Sequence, residues 1–108
     1  MTGLLDNLHP ELVEKLKELE RIYGKELVIT SGHRDPDHNK EVGGVENSEH
    51  TYNPAEGVDI ACNHGAVRWS LVNLALKLGF VRLGVGRDFL HLGIAVDKPQ
   101  RVIWHYYP

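Results

Sequence analysis

A chain of 108 residues has room for one small domain and a single core, and its formal net charge of -3 gives no electrostatic case for nucleic acid or for an anionic membrane surface. Its 42% hydrophobic and 25% charged content is that of a soluble globular domain, and no apolar run is long enough to span a bilayer. Cys62 is the sole cysteine, which excludes an intramolecular disulfide and implies no oxidising compartment.

The N-terminus, Met1 to Pro10, lacks the basic start and apolar stretch of a signal peptide, so synthesis in the cytosol is expected. Pro10 suits the first turn of a helix, and Leu12, Val13, Leu16, Leu19, Ile22 and Tyr23 follow at helical spacing until Gly24. Leu27 to Ser31 reads as a β-branched strand. From Gly32 to Pro54 the chain is polar and rich in Gly, Pro, Asn, Asp and His, a composition that inside a small domain marks a functional loop. A helical turn is expected after Pro36, and a left-handed or flexible corner at Gly43-Gly44.

Gly57 to Ala61 reads as a second strand, and residues 64 to 78 as a second helix with Val67, Leu71, Leu74, Ala75 and Leu78 on one face. Three strands close the chain at Phe80 to Val85, Phe89 to Ala95 and Arg101 to Tyr107, with turns at Gly86-Arg87-Asp88 and Asp97-Lys98-Pro99-Gln100. The order predicts a single α+β domain over residues 1 to 108, a mainly antiparallel sheet covered by two helices. A monomer is expected.

Seven histidines are the compositional outlier, and they favour metal or acid–base chemistry. Strand alternation sharpens this. Val58 and Ile60 share one face and Asp59 the other, while Leu90, Leu92 and Ile94 leave His91 opposite them. Asp59 and His91 therefore both project away from the apolar side, onto a face that the polar loop can cover. His50, Asp59 and His91 together make two imidazoles and one carboxylate, a set that holds a catalytic zinc while leaving a position open. His33, His38, His64 and His105 read as structural or exposed, with His105 the nearest rival ligand. Cys62 falls on the core face. Trp69 and Trp104 read as core or cleft wall.

Ser48-Glu49-His50, then Asp59, then Asp88-Phe89-Leu90-His91 resemble, in order, the motifs of the zinc D-Ala-D-Ala carboxypeptidase and L-alanyl-D-glutamate peptidase family, which includes VanX-type dipeptidases and small phage endolysins within a hedgehog-like superfamily. Thr30 to Asn39, Val42 to Val45 and Asn47-Ser48 extend the likeness, which runs from about Leu27 to Tyr106. Eight residues separate His50 from Asp59 where the family usually has six. A two-residue insertion keeps Asp59 on the same strand face, because two is the strand period.

The resemblance implies one Zn²⁺ per chain, held by His50, Asp59 and His91, in a peptidase that cleaves amide bonds of peptidoglycan or other D-amino-acid-containing peptides. Zinc in such a site lowers the pKa of its water to roughly 7. By the same likeness Asp88 is the base for that water, Arg34 binds substrate and holds the carbonyl oxygen as it becomes an oxyanion, and Ser48 binds substrate. An endolysin that reaches the wall after release, or a cytosolic dipeptidase, is the implied context. A non-catalytic, zinc-containing binding module on the same scaffold is the second reading, which Asp88 and Arg34 argue against. A metal-dependent nuclease is disfavoured by the acidic balance.

Overall fold

The computed structural model describes residues 1–45 and 47–108. Among the described residues, six strands form one sheet: β1 (Thr2–Gly3), β2 (Val28–Ser31), β3 (Gly57–Ala61), β4 (Arg82–Val85), β5 (Phe89–Gly93) and β6 (Val102–His105). Their spatial order is β1-β2-β3-β5-β4-β6. The central pairings β2–β3, β3–β5 and β4–β5 are antiparallel, and the two edge pairings β1–β2 and β4–β6 are parallel. The α+β architecture with a mainly antiparallel sheet is as expected, with β1 as an addition. That strand has no alternation to advertise it. It forms because Thr2 N–H and Leu4 N–H reach the carbonyls of Leu27 and Ile29.

Two helices, α1 (Pro10–Tyr23) and α3 (Gly65–Lys77), lie on one face of this sheet. Pro10 opens α1 and Gly24, at φ 78°, ends it in the left-handed conformation that glycine adopts without steric cost. Leu12, Leu16 and Leu19 of α1 and Leu71 and Ala75 of α3 are fully buried against Val58, Ile60, Leu83, Leu90 and Leu92 of the sheet. Cys62 joins this core, and burial pushes its thiol up. Trp69 departs from the sequence reading: it is 70% exposed on α3, because Leu71 and Ala75 take the inward positions of that helix.

The opposite face of the sheet is covered by the polar segment. A third, short helix α2 (Pro36–Glu41) and a 3₁₀ turn (Glu49–Thr51) sit there, each capped by a side chain: Asp35 accepts from His38 N–H and Ser48 from His50 N–H. The expected corner at Gly43-Gly44 divides into two causes. Gly43 has φ 73°, whereas at Gly44 a Cβ would stand 2.0 Å from Asn39 Oδ1 and 2.7 Å from Arg34 Nη1. The second glycine exists to let the loop close on those two side chains. Between His50 and Asp59 the chain runs against the N-terminal segment, where Ala55 is buried and exchanges backbone hydrogen bonds with Asn7 and His9.

Candidate metal centre

β3 and β5 pair in a register that sets Asp59 directly across from His91. Because Val58, Ile60, Leu90 and Leu92 commit one face of these strands to the core, both polar side chains stand on the other face, beneath the loop. The 3₁₀ turn then delivers His50 from above. His50 Nε2 lies 3.2 Å from Asp59 Oδ1, His91 Nδ1 lies 2.9 Å from the same oxygen, and the two ring nitrogens are 3.2 Å apart. All three residues are buried.

The partners behind the two rings decide which nitrogen faces inward. His50 Nδ1 donates to the carbonyl of Gly32 at 2.7 Å, and His91 Nε2 donates to Glu49 Oε1 at 2.9 Å. Both acceptors lack a hydrogen to offer, so each imidazole keeps its proton on the outer nitrogen and turns a lone pair towards Asp59. Two lone pairs and a carboxylate oxygen converging at 2.9–3.2 Å repel unless a cation lies among them. Ligand atoms around a tetrahedral zinc with bonds near 2.0–2.1 Å stand about 3.3 Å apart, so these groups need to open by only a few tenths of an ångström. The donor set fits zinc.

The charges respond accordingly. Burial pushes Asp59 up, but without a cation a ring proton turned inward relieves this repulsion, and such hydrogen bonds from His50 and His91 hold its carboxyl well below the usual range. Glu49, 2% exposed, is likewise pushed up by burial and brought below its ordinary value by His91, Arg82 and the Ala95 N–H. Its Oε2 accepts from Ala95 N–H at 2.9 Å and lies 3.0 Å from Arg82 Nε, whose N–H is not aimed along that line and so forms an ion pair rather than a hydrogen bond.

Arg34 is fixed on the far side of Asp59. Its Nε donates to Ser31 Oγ at 3.0 Å, Nη1 to Asn39 Oδ1 at 2.9 Å, and Nη2 to Asp59 Oδ2 at 3.4 Å. Asn39 is itself buried and held through Val45 O. Ser48 caps the 3₁₀ turn with its hydroxyl on His50 N–H. Arg34, Ser48 and the trio line one open cavity of about 650 Å³ whose other wall carries Phe89, Trp104 and Tyr106. Burial pushes the Tyr106 phenol up, so it is a neutral donor there at physiological pH.

The structure thus brings together five of the six predicted site residues: His50, Asp59, His91, Arg34 and Ser48. Asp88 stands apart. It occupies the turn closed by Gly86 N–H to Phe89 O, its side chain is exposed, and it is not among the residues lining the cavity. Three residues from His91, it leaves β5 on the opposite side, and Phe89 takes the inward position. His105 does not join the site: it is exposed, and its Nδ1 accepts from Tyr107 N–H. Sequence reasoning missed Glu49, Arg82 and Asn39 as supports of the site. The signal available for Glu49 was indirect, in Gly57 and Gly93 at the ends of two otherwise well-formed strands.

A buried His/Asp/His centre on the polar face of a sheet, open to a cavity, is the arrangement of a mononuclear hydrolytic zinc site. The chain belongs to the peptidase M15 family, whose model, described as Peptidase M15, matches residues 1–93 and so spans the whole trio. It is a zinc metallopeptidase, a hydrolase acting on peptide bonds. Comparison with curated proteins gave no match. Among the described residues, no helix is long and apolar enough to cross a membrane.

Proposed function

We propose that the chain hydrolyses peptide bonds in the stem peptides of peptidoglycan, at D-Ala-D-Ala or at L-Ala-D-Glu, with His50, Asp59 and His91 as the zinc ligands. The observation that carries this reading is the trio at the base of a cavity of about 650 Å³, a size suited to a short peptide rather than to a folded protein. Lys98 on its lining suits a carboxylate of such peptides. Release of a phage endolysin to the wall is the context that joins this substrate to the motif resemblance.

Zinc, when bound by the trio, supplies Lewis acidity and a water acidified towards neutral pH. The chain's own groups do the rest. Arg34 has five N–H groups and commits three, to Ser31, Asn39 and Asp59, leaving two for the substrate carbonyl oxygen as negative charge grows on it. Phe89 and Trp104 give the peptide an apolar wall that displaces water. Asp88, from its position in the motif, is the proton acceptor of this proposal. Its carboxylate lies outside the cavity, so this role requires the turn at Gly86 to Asp88 to rearrange when peptide binds.

The test is mass spectrometry of purified peptidoglycan fragments digested with the zinc-loaded protein. Loss of a terminal D-alanine marks carboxypeptidase action, and separation of L-alanine from D-glutamate marks endopeptidase action. Undigested fragments, from protein that carries zinc, contradict the substrate assignment. In the same assay Asp88→Ala is expected to lower the rate by roughly 10²-fold or more with zinc content unchanged. Full activity in that variant removes Asp88 from the mechanism.

A further inference from the structure

Glu49 sits behind the metal ligands, in the middle of the family motif but outside its ligand set. Its side chain lies over the β3–β5 pair at the point where Gly57 and Gly93 are cross-strand partners. A Cβ on Gly93 would stand 2.1 Å from Glu49 Oε1, and one on Gly57 would stand 2.7 Å from His91 Cε1 and 2.8 Å from Glu49 Cβ. Both glycines therefore clear the space in which the Glu49–His91 hydrogen bond lies, and neither has φ in the left-handed region to explain it otherwise. Arg82, the cross-strand partner of Gly93 on β4, closes the other side of the carboxylate and lies over the Trp104 ring at 5.1 Å. A buried carboxylate with three partners and a purpose-cleared cradle is more than a chance neighbour of a ligand.

We propose that Glu49 is a positioning residue for the metal centre: by accepting the Nε2–H of His91 it fixes that ring with Nδ1 as the ligating atom. This rests on the assignment of His50, Asp59 and His91 as the zinc ligands. A histidine ligand free to carry its proton on either nitrogen spends part of its time with the wrong one inward, and free to rotate it also loses geometry. Glu49 removes both freedoms through an acceptor that cannot reverse its role.

Glu49→Gln discriminates sharply because of the groups on the other carboxylate oxygen. Ala95 N–H donates to Oε2, and the Arg82 cation lies beside it, so the amide oxygen of a glutamine belongs on that side. Its NH₂ group then faces His91 Nε2, which must become the acceptor, and the ring proton moves to Nδ1, where the metal should bind. A nearly isosteric change thus inverts the tautomer.

Two measurements test this. In the zinc-loaded wild-type protein, ¹⁵N-resolved NMR of the histidine rings should show His91 protonated at Nε2 and metal-bound at Nδ1. In competition with a chromophoric chelator, Glu49→Gln should bind zinc roughly 10- to 100-fold more weakly than wild type. The NMR result on wild type stands whether or not the variant folds, and metal binding through Nε2, or an unprotonated Nε2, overturns the proposal. So does unchanged zinc affinity in a folded Glu49→Gln protein whose His91 is still ligated through Nδ1, which leaves the ligand assignment intact. If neither His91 nitrogen responds to zinc, the ligand assignment itself fails.

Discussion

His50→Ala is expected to lose zinc and peptidase activity together, with metal content falling from about one per chain to near zero. The two proposed ligands that remain, Asp59 and His91, cannot hold the ion against water, and the ring proposed as the third comes from a different element of the fold. The substitution also leaves the Gly32 carbonyl without its buried donor, at a cost of about 1–3 kcal/mol in stability. The two effects separate on heating. Zinc at about 100 times its Kd stabilises the folded wild-type protein by about 2.7 kcal/mol, so a chelator should lower the wild-type Tm by several degrees and leave that of the variant where it was. A variant that keeps its zinc and its chelator-sensitive Tm would remove His50 from the site.

Arg34→Met is expected to keep the zinc and lose roughly 10²- to 10³-fold in kcat, because it deletes a donor worth about 3 kcal/mol in the transition state. The loss should fall on kcat more than on KM, since the uncommitted N–H groups are needed most as the oxyanion forms. Arg34→Lys should recover little. Lysine cannot hold Ser31, Asn39 and Asp59 at once and still present a donor, and the fixed fork of the guanidinium is what the loop is built around. Steady-state kinetics with metal content measured in parallel checks this. A large rise in KM at constant kcat would make Arg34 a ground-state binder instead.

Much of this architecture is legible in the sequence because two periodicities carry it. The leucines of α1 at helical spacing and the alternation of Val58-Asp59-Ile60 and Leu90-His91-Leu92 name both the core and the face on which the ligands stand. What the pattern does not contain is the pairing itself. Only the structure sets Asp59 across from His91, through a register governed by contacts far apart in the chain.

The unread parts share a physical cause. Glu49 precedes His50 in a 3₁₀ turn, where adjacent side chains diverge, so its reach to the far side of His91 has no signature in local spacing. Trp69 lies in a helix whose apolar residues surround it on most sides, and packing of Leu71 and Ala75 rather than hydrophobicity decided which side faces inward. The place of Asp88 at the exposed tip of a hairpin turn is likewise not reported by its distance to His91 in the chain. In each case the missing information is tertiary direction. The strand glycines Gly57 and Gly93 are the one place where such direction left a mark in the sequence, since a glycine inside a strand asks what approaches it.

X-ray absorption at the zinc edge of the loaded wild-type protein reports the ligand atoms themselves. The expected result is one zinc per chain with two imidazole nitrogens and one carboxylate oxygen at about 2.0–2.1 Å, and a further light-atom ligand in the open position. A sulfur at about 2.3 Å, which Cys62 alone could supply, or a shell with fewer than two imidazoles, would contradict it.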